Sequence, residues 1–397
     1  MDEIEIHANG LLLRPWQPAD APAVARACQD PEIGRWTPLP SPYLPEHAEK
    51  FVGSFTRQSW TNGTAAPFGV FDPETGEVLG SNGLVSIARG AGEVGYWIAP
   101  WARGRGIATR STHAVATWSL TTLGLDRLAW RATIGNHASR LVAQRLGFQL
   151  EGVQRAAGWR RDLPPVDLWS AALVPGQLRS VDAPVDPILR RQALLFGAPQ
   201  PRLQTTTAAG APVTLRPLAA TDVDAVVAAA ADDESVRWTS VPSPYGRPDA
   251  QFFITEHAPG RWARGDGVTF AIADADDAYA GSMELRLLGG NAAEVGYLVA
   301  PWSRGKGLAS AALDRLCHWA FESLGLHRIE WRAYLGNDAS RRVALRAGFR
   351  MEGVLRAGCI QRGAYRDAWV GSRLATDEPA TSTPDETDVR GEGFVHG

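Results

Sequence analysis

The chain has 397 residues, of which 45% are apolar, and its formal net charge is −3 at pH 7. This length suits two ordinary domains, and the near-neutral charge gives no bulk reason to expect a nucleic acid or an anionic membrane as a partner. The acidic start has no signal-peptide pattern, no apolar run is long enough to cross a bilayer, and the scattered cysteines form no disulfide framework. We therefore expect a cytoplasmic protein, and the eight histidines show no spacing typical of a metal site.

Strands and helices alternate along the first half of the chain. Strands are predicted where short apolar runs lie between turn-forming residues, at 11–14, 68–71, 78–87, 93–99, 128–133 and 166–173. Helices are predicted after an Asp20 cap, at 46–60, after the glycine-rich segment 103–108, and from Asn136 to Gly147. This alternation predicts an α/β (α+β) fold built in layers.

The second half of the chain repeats this order. Residues 127–153 and 328–354 align without a gap at an offset of 201, and 17 of the 27 positions are identical. The offset is 202 in the earlier part of each copy, where Asp222 replaces Asp20, so one residue is lost in a loop-like stretch. In the second copy, a four-residue apolar spacing predicts the buried face of the long helix: Leu308, Ala312, Leu316, Ala320 and Leu324.

The repeat predicts two tandem domains, at 1–176 and 211–376. The segment 177–210 between them is rich in Pro, Ala, Thr and Gln, so it is predicted as a linker that carries a short helix. The segment 377–397 is rich in Pro, Thr, Asp and Glu and is predicted as a disordered tail.

A basic glycine loop stands between a strand and the long helix in each copy. It consists of Arg103, Gly104, Arg105, Gly106, Ile107 and Ala108 in the first copy, and of Arg304, Gly305, Lys306, Gly307, Leu308 and Ala309 in the second. A helix start offers free backbone N–H groups and the positive end of the helix dipole, and glycine lets that backbone approach an anion. The loop therefore predicts a phosphate-bearing ligand.

The motifs V-G-Y-W-I, R-G-x-G-x-A, N-x-x-S and G-F-x-x-E-G occur in this order and resemble those of the GNAT acetyltransferases. Within that family, they are similar to the Rim-type branch, which includes ribosomal-protein N-terminal acetyltransferases. The resemblance implies two GNAT-like domains, each a mixed, mostly antiparallel sheet that is splayed between its middle strands and flanked by helices. It implies acetyl-CoA as the cofactor.

The resemblance also implies which residues hold the cofactor. The loops would bind the pyrophosphate of CoA, with charge-assisted contacts from Arg103, Arg105, Arg304 and Lys306. The strand before each loop would pair with the pantetheine arm through the backbone of Trp97, Ile98, Leu298 and Val299. Asn136 and Asn337 would cap a helix and touch the pantetheine.

Four side chains are predicted to act in the chemical step. By the resemblance, Ser139 and Ser340 protonate the leaving thiolate, and a locally bonded serine is the alternative interpretation. Glu93 and Glu294 are predicted to take the proton of the acceptor amine, and exposed strand-end carboxylates are the alternative. Two aspartates near the final strands, Asp167 and Asp367, are weaker candidates for the same role.

The Pro-rich turn between the first two helices is predicted to border the acceptor cleft. It carries the predicted substrate contacts Trp36, Tyr43, Trp238 and Tyr245, for which core anchoring is the alternative. Arg35 and Arg237 on the same turn would meet either an acidic substrate group or an internal carboxylate.

Together these residues predict an acetyl-CoA-dependent N-acetyltransferase. Its acceptor would be a primary amine, of a small molecule or of a protein N-terminus, that attacks the thioester directly. Two alternatives stay open: a sensor or scaffold that binds acyl-CoA without turnover, and an enzyme with a single active domain. A Rossmann nucleotide enzyme is disfavoured, because neither copy has G-x-G-x-x-G near its start with an acidic residue about twenty positions later.

Overall fold

The computed structural model describes residues 1–160 and 163–377. The chain divides into two compact units, Met1–Ala193 and Leu194–Gly397, and each unit contains one eight-stranded sheet. Apart from Asp377, the predicted tail at 377–397 lies outside the described residues. No helix in the described ranges is long and apolar enough to cross a membrane.

The first unit follows the predicted order of elements. Its strands are β1 (Ile6–Ala8), β2 (Leu11–Pro15), β3 (Ala66–Phe71), β4 (Val78–Ala88), β5 (Ala91–Ile98), β6 (Arg127–Thr133), β7 (Gln149–Arg160) and β8 (Leu163–Leu173). Its helices are α1 (Ala21–Ala27), α2 (Pro31–Trp36), α3 (Pro45–Lys50), α4 (Thr56–Asn62), α5 (Ile107–Thr121) and α6 (His137–Leu146). A π-helical turn, Phe51–Phe55, joins α3 to α4.

Helix α7 (Pro187–Phe196) precedes the elements of the second sheet. The strands are β9 (Leu203–Thr206), β10 (Pro212–Arg216), β11 (Gly267–Ala273), β12 (Tyr279–Gly289), β13 (Ala292–Val299), β14 (Arg328–Tyr334), β15 (Arg350–Gln361) and β16 (Ala364–Leu374). The helices are α8 (Val223–Ala231), α9 (Asp233–Trp238), α10 (Arg247–Phe252), α11 (Ala258–Arg264), α12 (Leu308–Trp319) and α13 (Asp338–Arg346). A second π-helical turn, Phe253–His257, joins α10 to α11.

Both sheets are mixed and mostly antiparallel, as predicted. The order is β1-β2-β3-β4-β5-β6-β8-β7 in the first and β9-β10-β11-β12-β13-β14-β16-β15 in the second. The one parallel contact in each described sheet joins the middle strands, β5 with β6 and β13 with β14. Each parallel ladder holds four residue pairs and then stops, although β5 and β13 continue for four more residues. This splay places an opening at the centre of each sheet.

The predicted apolar stripe of the long helix is buried in the second core. Leu308, Ala312, Leu316, Ala320 and Leu324 are each 5% exposed or less. Burial of a leucine side chain stabilises the fold by about 1.5–3 kcal/mol. This face therefore fixes α12, and the π-helical turn Ala320–Leu324 that continues it, against the sheet. The N-terminus of α12, with its glycine loop, is thereby held at the same end of the sheet as the splay.

Several local predictions differ from the structure. Trp36 and Trp238, predicted on a turn, end the helices α2 and α9, and the predicted helix 46–60 is split by a π-helical turn. Within the predicted linker 177–210, β9 pairs with β10, and Leu203 lies in the second core, so this part of the segment belongs to the second sheet. Asp20 stands at the start of α1 but makes no side-chain cap. Its carboxylate instead accepts from Arg14 and from the backbone N–H of Gln17, because a half-buried arginine takes both of its oxygens. Asp222 binds Arg216 in the same way.

Candidate active site

The glycine loops have a backbone conformation that few residues other than glycine adopt. Gly104 and Gly106 have φ of +77° and +72°, and Gly305 and Gly307 have φ of +75° and +76°. Glycine enters this left-handed region at little cost, whereas other residues are strained there. α5 and α12 begin directly after Gly106 and Gly307, so the first N–H groups of each helix have no intrahelical acceptor.

The first arginine of each loop is tied to a neighbouring helix. Arg103 donates to both oxygens of Asp30, at 2.6 and 3.2 Å, and Arg304 donates to Asp232 at 2.5 Å and to Ser235 Oγ at 3.0 Å. The guanidinium holds the pKa of each aspartate below its ordinary value, against the opposing effect of burial. These arginines therefore position the loop and share their charge with a carboxylate.

The second basic residue of each loop has weaker ion pairing than the first. Arg105 is 48% exposed and lies 3.9 Å from Asp72. Lys306 has no ion-pair partner among the residues that the structure describes. These two cations are the best placed to meet a phosphate at the helix N-terminus.

The strand that runs into each loop is the one that leaves its parallel partner. β5 pairs with β6 through Val94, and β13 pairs with β14 through Val295. The predicted cofactor residues Trp97, Ile98, Leu298 and Val299 all lie beyond these points, on the splayed part of the strand. A splayed strand can accept an extended amide chain as a new neighbour.

In the second unit these elements border a cleft of about 890 Å³. Of the predicted site residues of that domain, Lys306, Arg237 and Asp367 are not in its lining. The others are: Trp238, Tyr245, Glu294, Leu298, Val299, Arg304, Gly305, Gly307, Leu308, Ala309, Asn337 and Ser340. The cleft joins the glycine loop, the splayed strand and the start of α13. The corresponding residues of the first unit lie on the equivalent elements.

The predicted serines belong to a hydrogen-bonded triad in both units. Asn136 Oδ1 accepts from the N–H of Ser139 at 3.1 Å, which confirms the predicted helix cap. Ser139 Oγ accepts from Trp130 Nε1 at 3.2 Å and lies 2.9 Å from the hydroxyl of Tyr96. Tyr96 also donates to the carbonyl of Ser139 at 3.2 Å, so the serine O–H points to the tyrosine oxygen. Burial raises the pKa of Tyr96 to about 12, so this hydroxyl keeps its proton.

The second unit has the same triad. Trp331 Nε1 donates to Ser340 Oγ at 3.1 Å, and Ser340 Oγ donates to Tyr297 at 3.0 Å. Tyr297 donates to the carbonyl of Ser340 at 2.9 Å, and burial raises its pKa. Asn337 caps α13 through the N–H of Ser340.

The predicted bases are ion-paired, with different partners in the two units. Arg131 binds both oxygens of Glu93, at 3.0 and 2.5 Å. Arg286, on the neighbouring strand, binds one oxygen of Glu294 at 2.8 Å. The weaker candidates, Asp167 and Asp367, bind backbone groups instead. Asp167 accepts a hydrogen bond from the N–H of Ala156, and Asp367 accepts one from the N–H of Ala357, both at 2.8 Å. Both alanines have a positive φ.

The predicted acceptor-side aromatics have unequal surroundings. Trp36 and Trp238 are half-buried, and each donates to a glutamate one turn earlier on its own helix. Tyr43 is only 6% exposed and lies in a core cluster, whereas Tyr245 is half-buried and lines the second cleft.

Arg35 and Arg237 each pair with an internal carboxylate. The partners are Glu32 and Glu234, both at 3.5 Å and one helical turn away. This matches the internal-carboxylate interpretation of the two arginines.

Sequence reasoning missed the tyrosine and tryptophan of the triad. Tyr96 and Tyr297 lie in the repeated V-G-Y motif, and Trp130 and Trp331 lie in the repeated W-R-A motif. Their recurrence in both copies was the available signal. Among residues 1–160 and 163–377, no group of three or more His, Cys, Asp or Glu is placed to hold a metal ion.

Comparison with known proteins identifies the repeated unit. A family model described as an acetyltransferase (GNAT) domain matches residues 10–149 and again residues 213–350. These two stretches together make up more than half of the chain, with one on each unit.

Individual relatives match shorter stretches. The chain is 35% identical over 82 residues to the ribosomal-protein-serine acetyltransferase of Escherichia coli (strain K12), which is 21% of this chain and 46% of that protein. It is 39% identical over 80 residues to the uncharacterized N-acetyltransferase YoaA of Bacillus subtilis (strain 168), 20% of this chain and 45% of that protein. The chain thus spans less than half the length of these curated relatives. Among solved structures, RimJ of Mycobacterium smegmatis in complex with CoA-disulfide is 26% identical, with a TM-score of 0.40 over 45% of this chain and 91% of that chain.

Proposed function

Because this chain belongs to the GNAT acetyltransferase family and carries the family domain twice, we propose that it is an acetyl-CoA-dependent N-acetyltransferase that acts on a primary amine. One observation carries the proposal. In each domain the strand that leaves its parallel partner runs into a left-handed glycine loop at a helix N-terminus. An extended amide chain that ends in phosphates suits such a strand and loop.

The residues present fit coenzyme A. A Cβ on Gly104, Gly106 or Gly305 would meet no heavy atom within 4 Å, so the space at these loops is open. The first N–H groups of α5 and α12, with Arg105 and Lys306, would hold the pyrophosphate. The backbone at 97–98 and 298–299 would pair with the pantetheine arm, beside the capping asparagines.

When bound, acetyl-CoA supplies the acetyl group as an activated thioester. The chain would gain most of its rate by holding the amine against the thioester carbon, and backbone N–H groups of the splayed strand would polarise the carbonyl. Ser139 and Ser340 would pass a proton to the departing thiolate. Solvent would then replace that proton, while the tyrosine and tryptophan contacts hold each serine Oγ in place.

The acceptor must lose a proton before it attacks. Glu93 is the proposed acceptor of that proton in the first domain, and Glu294 is the candidate that the sequence predicts in the second. Glu93 has both oxygens bound by arginine, whereas Glu294 has one. Of the two, Glu294 therefore has the freer carboxylate.

The test is a screen of amines with acetyl-CoA, in which release of free thiol is followed. A peptide with a free N-terminal serine is the first acceptor to try, because one relative is named a ribosomal-protein-serine acetyltransferase. Spermidine and an aminoglycoside represent small-molecule amines. Thiol release that depends on an amine supports the proposal, whereas acetyl-CoA binding without turnover on any amine would favour a sensor or scaffold.

A further inference from the structure

His257 and Glu284 form a bonded pair in the cleft of the second domain. His257 Nε2 lies 2.9 Å from Glu284 Oε2. Thr269 donates to the same oxygen at 3.0 Å, and Arg261 lies 3.0 Å from the other carboxylate oxygen. His257, Thr269 and Glu284 all line the cleft, and the histidine and glutamate side chains are each about one-third exposed. They are therefore accessible to a molecule in the cleft.

The pair stands beside the point where the middle strands part. Glu284 is the cross-strand partner of Gly296, which directly follows Val295, the last residue of β13 that pairs with β14. Directly opposed residues on neighbouring strands have their Cβ positions about 5 Å apart. A Cβ on Gly296 would meet no heavy atom within 4 Å, so the cleft is open at this position.

The hydrogen bonds assign a proton to one nitrogen of the histidine. Burial opposes ionisation of Glu284, but the His257 hydrogen bond and the Arg261 charge outweigh it and lower the pKa of this carboxyl. An ionised carboxylate can only accept, so the shared proton lies on Nε2. In the neutral ring the other nitrogen, Nδ1, carries a lone pair, and it has no hydrogen-bond partner within the described ranges.

Among the described residues of the first domain, the positions equivalent to this pair hold other residue types. Phe55 ends its π-helical turn where His257 ends the second, and Gly83 faces Gly95 where Glu284 faces Gly296. A Cβ on Gly83 would lie 2.1 Å from a backbone oxygen, so no side chain fits there. The position above Gly95 is filled by Val85, whose Cγ1 would lie 2.5 Å from a Cβ. The polar pair is therefore specific to the second cleft.

We propose that His257 is the general base of the second domain and that Glu284 orients it, an inference that rests on the N-acetyltransferase function proposed above. An N–H bond of the acceptor ammonium breaks, and its proton bonds to His257 Nδ1. The freed lone pair forms a C–N bond to the thioester carbon, the C–S bond breaks, and the sulfur leaves with the bonding pair and takes a proton from Ser340. The new amide nitrogen, which still carries a positive charge, loses its second proton to solvent, and solvent returns a proton to Ser340. Solvent then removes the proton from His257.

The kinetic test uses the full chain with Gly106→Glu, so that turnover reports the second domain, and the serine peptide as acceptor. His257→Gln should lower kcat by about 100-fold, remove the acidic limb of the kcat/KM profile, and leave acetyl-CoA affinity unchanged. Glu284→Gln should cause a smaller loss, because the ring then lacks the carboxylate that orients it. The elements around the histidine carry these other charged groups: Arg247 and Asp249 on α10, Glu256 on the π-helical turn, Arg261 and Arg264 on α11, and Arg286 on β12.

His318→Gln is the matched control. His318 is also a half-exposed histidine beside a carboxylate, Asp314, but it does not line the cleft. Its replacement should change neither kcat nor the pH profile. If the His257→Gln variant has the same kcat and pH profile as its parent, or differs only in a higher KM for the acceptor, then His257 is not the base. Loss of the acidic limb in Glu294→Gln alone would also overturn the proposal, in favour of Glu294.

A binding readout separates failure of this inference from failure of the proposed function. In the full chain labelled at its eight histidines, the His257 ring resonance is the one absent from His257→Gln. The serine peptide, added with CoA, should shift this resonance, and the same peptide with an acetylated N-terminus should not. Absence of turnover on every amine would refute the N-acetyltransferase function. Absence of this shift would refute the role of His257 whether or not turnover is found.

Discussion

Ser139 and Ser340 have little freedom in this structure. Each Oγ accepts an indole N–H and directs its own O–H to a tyrosine oxygen. A free serine would rotate its hydroxyl to suit any neighbour, whereas here two partners fix it. The geometry therefore holds each serine oxygen in a fixed position, and the tyrosine acts as a positioning partner of the serine.

Replacement of either serine should slow the chemical step. Ser139→Ala or Ser340→Ala, each in a chain whose other loop carries Gly→Glu, should lower turnover by roughly 100-fold with little change in acetyl-CoA affinity. Tyr96→Phe or Tyr297→Phe should give a smaller loss, because it removes only one of the two contacts that hold the serine hydroxyl. Single-turnover rates and calorimetry separate the two effects. Unchanged turnover in both serine variants would leave solvent as the proton donor.

A charged pair on the second sheet predicts how stability depends on pH. Glu352 is held by Arg328 and Ser372, and these contacts lower its pKa from 4.5 to about 2. A folded-state pKa below the unfolded value means that the stabilisation is complete above about pH 4.5 and is lost as the pH falls towards 2. Glu352→Gln should flatten the pH dependence of urea unfolding in this window. Glu256→Gln, at an exposed position of the same domain, should not.

The residue types of the site could be predicted from the sequence, but several of their partners could not. Asn136 and Ser139 were predictable because a helix cap depends on neighbours three positions away. The bond of Arg103 to Asp30 joins residues 73 positions apart, and the pairing of His257 with Glu284 occurs in only one copy. Neither local spacing nor the internal repeat carries a signal for such contacts.

At the scale of elements, the two glycine loops make a direct prediction. Gly106→Glu and Gly307→Glu should each abolish one cofactor site, because a carboxylate would stand at the helix N-terminus where a phosphate is proposed to bind. Gly106→Ala and Gly307→Ala are the controls, since they add only the strain of positive φ, about 1–3 kcal/mol. Calorimetric affinity for acetyl-CoA and thermal unfolding distinguish the two effects. Equal affinity in the Ala and Glu variants would argue against phosphate binding at the loop.

Hydrophobic periodicity predicts well the elements whose structure is determined by their local sequence. The stripe from Leu308 to Leu324 is buried as predicted, because a four-residue spacing leaves one helical face for the core. The predicted helix 46–60 is interrupted by the π-helical turn Phe51–Phe55. The spacing of apolar residues does not predict such a turn. β9 was missed inside the predicted linker because a strand of four residues needs a partner to be recognised.

At the scale of the whole molecule, duplication predicts two cofactor sites. Both loops keep left-handed glycines at a helix start, and both triads are intact. Calorimetry with acetyl-CoA should therefore give a stoichiometry near two for the full chain. It should give a value near one in Gly106→Glu and in Gly307→Glu. A stoichiometry near one in the unmodified chain would mean that a single domain binds the cofactor.

The same duplication predicts that the two sites accept different amines. The cofactor elements are nearly alike, but Thr37-Pro38-Leu39 corresponds to Thr239-Ser240-Val241, and Gly83 corresponds to Glu284. Changed side chains at an acceptor cleft alter specificity more than they alter cofactor affinity. Across an amine panel, Gly106→Glu and Gly307→Glu should therefore remove turnover of different acceptors, each sparing those of the other domain. If each variant halved the rate for every amine, the sites would be equivalent, and the polar pair of the second cleft would have no bearing on which acceptor it takes.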